Sequence, residues 1–315
     1  MMTTAAPDPP VWVVSLGMGS ADVDFTHHAT TASLCQHFLE AAWDHAEALG
    51  VGFAPLAAQG RFWVLSRLRV EVREYPRWGA SVTLRTWPRP AQSVFALRDF
   101  EIVNDADQRV AAGSSAWLVL DSISKRPQRL GTLLPHLAHL RDRPALDRNP
   151  EKLTEDGPWA EAFSTSVRYT DIDVNSHVSS GRYLRWILDA YPNRFYLEHS
   201  LRGLDVNYVD EVHEGDLLRV RLWEKTPTIH YHSLVRGGDH EVCRARLEWC
   251  EMAAPGGPPA GSLSNPGEAR LRPMKHAVQR NRGGQRGSLP PRLANIESST
   301  GGGEAWDRTG QCLTC

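Results

Sequence analysis

The feature that most limits how this 315-residue chain can fold is an internal repeat. The stretch DVDFTHHAT, which begins at residue 22, is similar to the stretch DIDVNSHVS, which begins at residue 171. Three pairs of residues align at one constant separation of 149 positions (171 minus 22): Asp22 with Asp171, Asp24 with Asp173, and His28 with His177. Self-similarity at a fixed separation indicates that one structural unit occurs twice in the chain.

Each copy of the repeat is followed by the same succession of predicted elements. Apolar residues first recur at helical spacing, as Leu34, Phe38, Ala41 and Ala42 in the first copy and as Tyr183, Trp186, Ile187 and Ala190 in the second. Gly50 closes the first helical pattern and Pro192 closes the second. Four segments rich in alternating, β-branched or aromatic residues then predict strands in each half: WVLSRLRVEV, SVTLRTW, SVFALRDFEIV and AAGSSAWLVLD, then LRGLDVNYV, DLLRVRLW, IHYHSLVR and EVCRARLEWC.

These elements predict an α+β fold in which each half is a long helix wrapped by an antiparallel sheet, the arrangement called a hotdog. Two tandem hotdog domains in one chain are expected to pair as an internal pseudo-dimer, which leaves both a monomer and a homodimer open. The predicted boundaries are a flexible N-terminus over 1–10, hotdog domain 1 over 11–139, a linker over 140–159, hotdog domain 2 over 160–252, and a tail over 253–315. Many unrelated functions share one fold, so function has to be argued from the site.

The tail after residue 252 differs from the rest of the chain in composition. It is rich in Gly, Pro, Ser and Arg and has almost no periodic apolar residues, so we expect it to be disordered. Cys312 and Cys315 form a single CxxC there. A structural zinc site needs four ligands, and no second pair lies nearby in the sequence, so we predict no metal site.

The net charge and the hydropathy of the sequence limit which binding partners and which cellular location we expect. The formal net charge of −2 is too small to steer the whole chain to nucleic acid or to an anionic membrane. No apolar run is long enough to span a bilayer, so we expect no membrane insertion. The first residues, MMTTAAPDPPVWVVS, lack the basic and apolar regions of a signal peptide, and we therefore expect a cytoplasmic protein.

The second copy of the repeat carries the residues whose side chains are suited to catalysis. Asp173, Asn175 and His177 alternate, so on an extended chain their side chains would point to one face just before a helix begins. Ser179 or Ser180 is suited to cap that helix, whose free N–H groups favour negative charge. Such a place suits the oxyanion that develops from a thioester carbonyl.

A further carboxylate, Glu211, lies at the end of the first strand after this helix. A carboxylate beside His177 would orient the imidazole as a base. In the first copy Thr26 stands where Asn175 stands, and Tyr75 stands where Glu211 stands. We interpret the first half as a degenerate copy that closes the cavity, although its own Asp24 and His28 leave a second working site open.

Each of these residues also has a purely structural interpretation. An Asp-x-Asp-x-Asn run often forms a turn held by Asx hydrogen bonds. A histidine before a helix is commonly a capping or core residue, and a glutamate close to Gly215 is commonly a solvated hairpin residue. The functional interpretation gains weight because all the elements occur together and in order.

The stretch RYTDIDVNSHVSSGRYLRW resembles the site motif of the acyl-ACP thioesterases of plants and bacteria, R-x-x-D-[LI]-D-x-N-x-H-V-N-N-x-x-Y-x-x-W. The match holds at Arg168, Asp171, Asp173, Asn175, His177, Val178, Tyr183 and Trp186, and the resemblance extends over roughly 11–252. Ser179 and Ser180 stand where the family commonly has Asn-Asn. Val212 stands where plant members have a cysteine, which excludes a cysteine nucleophile at that position.

The resemblance implies a thioester hydrolase that converts fatty acyl–acyl carrier protein to a free fatty acid. It implies that the catalytic set is Asp173, Asn175, His177 and Glu211. The acyl chain is expected in an apolar channel of the first domain, with candidate lining residues Trp43, Phe53, Phe62, Trp63 and Phe95. The partner would be an acidic carrier protein with a phosphopantetheine-linked acyl chain, and candidate contacts for it are Arg182, Arg185 and Arg202.

The implied mechanism needs no metal and no organic cofactor, because a thiolate leaves readily. His177, assisted by Glu211, would activate water as a general base. Asn175 and the N–H groups at the helix start would stabilise the thioester oxygen. Asp173 either orients these groups or attacks the carbonyl itself, and the sequence leaves both routes open.

Three other functions stay open at this point. An acyl-CoA thioesterase of the same fold differs only in the leaving group. A non-catalytic acyl-binding protein of this fold would keep the cavity without hydrolysis. A dehydratase of this fold would need a histidine paired with an acid in a different context, which the sequence does not show.

Overall fold

The computed structural model describes residues 8–130 and 140–252. The predicted tail, its CxxC pair and most of the predicted N-terminal segment lie outside the described residues. The elements of the first half are β1 (Trp12–Gly17), α1 (Thr31–Ala48), α2 (Phe53–Ala57), β2 (Arg61–Val72), β3 (Ser81–Pro88), β4 (Phe95–Val103) and β5 (Arg109–Asp121). Those of the second half are β6 (Ala160–Ser166), a 3₁₀ helix (Tyr169–Asp171), α3 (Ser180–Leu188), α4 (Phe195–Glu198), β7 (His199–Tyr208), β8 (Leu217–Glu224), β9 (Ile229–Arg236) and β10 (His240–Glu251).

The ten strands of the described residues form one antiparallel sheet in the order β1-β3-β4-β5-β2-β7-β10-β9-β8-β6. The order of the second half is that of the first in reverse, with β7 in the place of β2. Each half therefore has one strand, one longer helix and four further strands, and the halves meet where β2 pairs with β7. The prediction of two hotdog units paired within one chain is confirmed. The predicted domain boundaries at 139 and 160 stay predictions.

The helices lie against the sheet through the faces that the sequence predicted. Leu34 and Phe38 of α1 are fully buried, and the Phe38 ring stacks on Phe100 of β4 at 4.8 Å between centroids. Gly113 of β5 permits this contact, since a Cβ there would lie 2.9 Å from the Phe38 ring. No helix within the described residues is long and apolar enough to cross a membrane.

The joint between the halves has a buried ion pair at its centre. Arg69 of β2 lies directly opposite Asp205 of β7, and their charged atoms are 2.7 Å apart. Both residues are buried, at 4% and 7% exposure. These two residues are equivalent in the strand repeat, because 205 minus 69 and 211 minus 75 both give 136. The pseudo-twofold axis thus passes between opposite charges rather than between identical residues.

The predicted linker packs against the sheet. The indole Nε1 of Trp87 donates to the backbone oxygen of Arg143 (2.8 Å), and the backbone N–H of Ala145 donates to the buried carboxylate of Asp99 (2.6 Å). Further along, the N–H of Leu153 donates to Asn207 of β7 (2.7 Å). The segment therefore runs from the strands of the first half to the central strand of the second.

Replacing Arg69 with methionine tests the joint. The substitution removes the contact at 2.7 Å and leaves buried Asp205 with only the longer ion pairs to Arg246 (3.5 Å) and Arg148 (3.9 Å). Weakening a buried ion pair in this way destabilises the fold, and we expect the free energy of unfolding to fall by about 3 kcal/mol. The double variant R69M/D205L should recover most of this loss, because both buried charges are then absent and the former partners Glu71 and Arg148 are about half exposed to solvent. The measurement is urea denaturation. The control is Arg85→Met in the more exposed pair with Asp107, expected to cost less than about 1 kcal/mol; equal losses for R69M and R85M would contradict the prediction.

The environment of His45 in α1 predicts that the free energy of unfolding falls in acid. Burial, with a smaller effect of the nearby Arg98 charge, lowers the pKa of His45 from 6.5 to about 4. Its Nδ1 accepts a hydrogen bond from Arg98 Nη1 (2.9 Å), so the folded state favours the neutral ring. This stabilisation is complete above pH 6.5 and is lost as pH falls toward 4, to the extent of roughly 3 kcal/mol.

The variant His45→Gln keeps an acceptor for Arg98 but does not titrate. We expect its free energy of unfolding, measured by urea denaturation at pH 7 and pH 4.5, to fall less than that of the wild type over this interval. His232, whose pKa burial lowers to about 3, contributes in the same direction in both proteins. Parallel losses in the two proteins would show that His45 does not carry the effect.

Candidate active site

The second copy of the repeat folds into a tight turn. The N–H of Asp173 donates to the oxygen of His177 (2.9 Å), and the N–H of Asn175 donates to the Asp173 carboxylate (2.8 Å). Ser176 closes the turn with a φ of 63°, in the left-handed region. The Asx hydrogen bond considered from the sequence is thus present. The extended run that was expected to put three side chains on one face is wrong, because the chain reverses direction within it.

The first copy forms the same turn around the equivalent aspartate. The N–H of Asp24 donates to the oxygen of His28 (3.0 Å), and Thr26 donates to the Asp24 carboxylate through its N–H (2.8 Å). His27 has a φ of 61°. The Thr26 hydroxyl adds a second bond to the same carboxylate oxygen (2.6 Å), which an asparagine at this place does not make in the second copy.

The end of β7 approaches the second turn, as the sequence predicted. The N–H of Val178 donates to the oxygen of Val212 (3.0 Å) and holds the two segments together. Beside this bond, Nε2 of His177 lies 3.3 Å from a carboxylate oxygen of Glu211. Both side chains are about one-third exposed. The structure therefore brings the predicted base and the predicted acid into contact at the protein surface.

Asp173 and Asn175 line a cavity of about 950 Å³. Most of its wall comes from the first half, including four predicted residues: Trp43, Phe53, Phe62 and Trp63. The second half contributes the turn and the start of α3, at Ser179, Ser180 and Gly181. Among the described residues His177 and Glu211 are not part of this lining, so their contact lies beside the cavity rather than within its wall.

Phe95 is the predicted channel residue that the structure places elsewhere. It is the first residue of β4, and Arg67 of β2 stacks over its ring at 4.7 Å. The Phe95 ring therefore lies outside the cavity lining. Apolar residues that the prediction omitted, among them Leu65 and Leu97, take part in the lining instead.

The start of α3 is fixed by a buried carboxylate rather than by a serine cap. Asp171 is 2% exposed, accepts the N–H of Arg168 (2.8 Å) and lies 2.5 Å from Arg182 Nε. Ser179 occupies the position before the helix, but its side chain makes no capping hydrogen bond. In α1 the equivalent position does cap, since Thr30 accepts the N–H of Ser33 (3.0 Å).

Tyr75, at the place of Glu211 in the first half, has a structural task. Its hydroxyl donates to the backbone oxygen of Leu201 (2.7 Å) and lies 2.7 Å from the Thr31 hydroxyl. Burial raises the pKa of Tyr75 above its ordinary value, so the phenol stays protonated. The first half therefore presents no carboxylate to His28 at this position.

His213 was missed by the sequence analysis. Its ring centroid lies 5.0 Å from that of His177, and ligand atoms of His177, Glu211 and His213 all lie within 4.8 Å of one another. Such a set of two imidazoles and one carboxylate is able to hold a divalent metal ion. The signal was present in the sequence, because Glu211 and His213 are two positions apart and so share a side of the chain.

The three arginines predicted to contact a carrier line a different cavity. Arg182, Arg185 and Arg202 belong to the wall of a second cavity, of about 970 Å³. Its lining also includes the first-copy turn, at Asp24, Thr26 and His28. The prediction placed these arginines near the second turn. Arg182 keeps a contact there, with Asp171, but all three side chains line the cavity beside the first-copy turn, Arg182 and Arg185 from α3 and Arg202 from β7.

Two family models match the chain. The acyl-ACP thioesterase N-terminal domain matches residues 12–132, and the acyl-ACP thioesterase C-terminal domain matches residues 159–251. A palmitoyl-acyl carrier protein thioesterase of Gossypium hirsutum is 25% identical over 224 residues, which is 66% of this chain and 54% of the relative. One from Arabidopsis thaliana is 25% identical over 256 residues, 73% of this chain and 61% of the relative. The chain thus spans between half and two-thirds of the length of these chloroplastic relatives.

Solved structures show the same fold. An acyl-ACP thioesterase from Bacteroides thetaiotaomicron superposes with a TM-score of 0.71 at 26% identity, over 76% of this chain and 97% of that one. A 12:0-ACP thioesterase from Umbellularia californica superposes with a TM-score of 0.68 at 21% identity, over 77% of this chain and 98% of that one.

Proposed function

Because this chain belongs to the acyl-ACP thioesterase family, we propose that it hydrolyses a fatty acyl–acyl carrier protein thioester to a free fatty acid and the carrier thiol. The observation that supports this most is the shared cavity. Its apolar wall comes from the first half, and Asp173, Asn175 and the start of α3 come from the second. An acyl chain in the apolar part would leave its thioester carbonyl beside these polar groups.

His177 acts as the general base in this proposal. The nitrogen that faces Glu211 is Nε2, so a proton on Nε2 is held by the carboxylate and Nδ1 is left to accept a proton from water. The water oxygen forms the new bond to the carbonyl carbon, and the carbon–sulfur bond breaks. The proton on His177 then passes to the departing thiolate, which restores the neutral ring.

Asn175 and Asp173 position the carbonyl. The Asn175 side chain is exposed and the backbone N–H of Asn175 donates to the Asp173 carboxylate, so the turn holds the side-chain amide at the cavity wall. The amide N–H groups and those at the start of α3 are suited to stabilise the negative charge on the carbonyl oxygen. One Asp173 oxygen accepts the Asn175 N–H, which leaves the other free for the alternative route, direct attack to form an anhydride.

Carrier recognition and location complete the proposal. The relatives' names give acyl carrier protein as the bearer of the substrate. Carrier contact at Arg182, Arg185 and Arg202 stays a prediction, as do the predicted cytoplasmic location and a monomeric or homodimeric state. The relatives named above are chloroplastic proteins.

The proposal is tested by thiol release from a panel of acyl–carrier protein and acyl-CoA substrates. His177→Ala should lower kcat by about 10²- to 10⁴-fold, because general base catalysis contributes that much. Asp173→Ala should abolish carrier-dependent turnover. The chain offers matched controls in its first copy: His28→Ala and Asp24→Ala should change kcat by less than about twofold.

The outcomes separate the candidate functions. Turnover of CoA esters alone would indicate an acyl-CoA thioesterase. Absence of turnover on both classes, with acyl ligands still bound, would indicate a binding protein. An unchanged kcat in H177A would remove the assignment of the base, and equal losses in H177A and H28A would contradict the assignment of the first half as degenerate.

Removal of metal ions provides a separate test of the cluster at His177, Glu211 and His213. In the proposed mechanism Glu211 orients the imidazole directly, so we expect dialysis against EDTA to leave kcat unchanged. His213→Ala should likewise retain most activity. A catalytic metal would be assigned to this cluster by two results together. Chelation would lower the activity of the wild type and added zinc would restore it, whereas the activity of H213A would not respond to chelation.

A further inference from the structure

The second cavity is related to the first by the repeat. Residues separated by 149 positions line the two cavities in pairs: Gln36 and Arg185, Leu39 and Leu188, Glu40 and Asp189, Asp173 and Asp24, and Asn175 and Thr26. The two volumes, about 970 and 950 Å³, are nearly equal and lie at the upper end of the range of small-molecule sites. The duplicated fold has therefore kept two cavities of similar size.

The two cavities differ in charge. The lining of the first contains one arginine and four acidic residues: Arg98, Glu40, Glu47, Asp173 and Glu214. The lining of the second contains five arginines and three acidic residues: Arg73, Arg77, Arg182, Arg185 and Arg202, with Asp24, Glu74 and Asp189. The second cavity is thus the basic member of the pair.

Three of these guanidinium groups form no ion pair with a carboxylate among the described residues. Arg182 is paired with Asp171, and Arg202 donates to the backbone oxygens of Val72 and Arg73. Within 8–130 and 140–252, Arg73, Arg77 and Arg185 have no carboxylate at ion-pair distance, and all three are exposed. Guanidinium groups in this state are available to bind an anionic group of a ligand.

The same cavity exposes apolar surface. Its lining includes Leu188, Tyr196 and Trp249, together with two large apolar side chains that face solvent, Phe25 at 49% exposure and Leu197 at 60%. Apolar walls beside unpaired arginines suit a ligand with a hydrocarbon chain and one anionic end.

We propose that the second cavity binds a long-chain carboxylate without hydrolysing a thioester. Thr26 replaces the amide of Asn175, and Tyr75, which replaces Glu211, already donates its hydroxyl to Leu201. The ligand is therefore held and not processed. Identification of the ligand with the released fatty acid rests on the proposed function; binding itself does not.

The experiment is an equilibrium titration of the full chain with cis-parinaric acid, a fluorescent eighteen-carbon carboxylate. The wild type should show two sites per chain. The variant R77Q/R185Q, in which Arg185→Gln restores the residue of the equivalent position Gln36, should weaken one site at least about tenfold and leave the other unchanged. Arg126→Gln removes an exposed arginine outside both cavities and is the control.

Three further arms make the outcome specific. The methyl ester of the probe should occupy only the site that R77Q/R185Q leaves intact. Phosphopantetheine should not displace the probe from the arginine-dependent site; displacement by it, with none by lauric acid, would overturn the carboxylate assignment. Unchanged probe binding in R77Q/R185Q, with a raised KM for acyl–carrier protein, would assign the arginines to the carrier and overturn the proposal. Arginine-dependent binding in a protein that hydrolyses no thioester would refute the proposed function and leave this inference standing.

Discussion

The antiparallel pairing of β2 with β7 is the constraint on which the rest of the structure depends. It merges two five-stranded units into one sheet, and both cavities have walls from both halves because of it. Arg69 and Asp205 face each other at the centre of this pairing. Two copies of the first half alone would bury arginine against arginine, and two copies of the second half would bury aspartate against aspartate. Opposite charges therefore meet at this position only when the two different halves pair with each other.

The two turns show how one backbone supports two chemistries. Both copies keep the aspartate that accepts the next-but-one N–H and the residue at positive φ, so the turn is set by the backbone and one carboxylate. What differs is the side chain that the turn presents and the partner that the following strand supplies. Glu211 contacts His177, whereas Tyr75 is buried and bound to Leu201. The same backbone frame thus places a histidine–glutamate contact beside one turn and a buried tyrosine at the equivalent position of the other.

Sequence patterns predicted most of the fold because the signals are local. The repeat, the helical faces and the strands all arise from spacings within one half, and the structure confirms them. The pairing of His177 with Glu211 was also predictable, since the strand after the helix returns to its start. Positions set by tertiary packing were not predictable: Phe95 of β4 packs against Arg67 of β2 within the first half, and α3 of the second half points Arg185 to the first-copy turn. The turn itself was misjudged because an alternating polar run fits either an extended chain or an Asx turn. The motif that contains His177 indicated the family to which the chain belongs.

Helix α3 is shared between the two cavities. Its first residues, Ser180 and Gly181, line the cavity with Asp173, while Arg182, Arg185 and Leu188 line the other. The helix has nine residues and so measures about 13 Å. Asp171 forms an ion pair with Arg182 near its start. A ligand that shifts this helix from one side changes the binding free energy on the other, and thermodynamic reciprocity requires the effect to be equal in both directions. The duplication has therefore placed one short helix in the walls of two cavities.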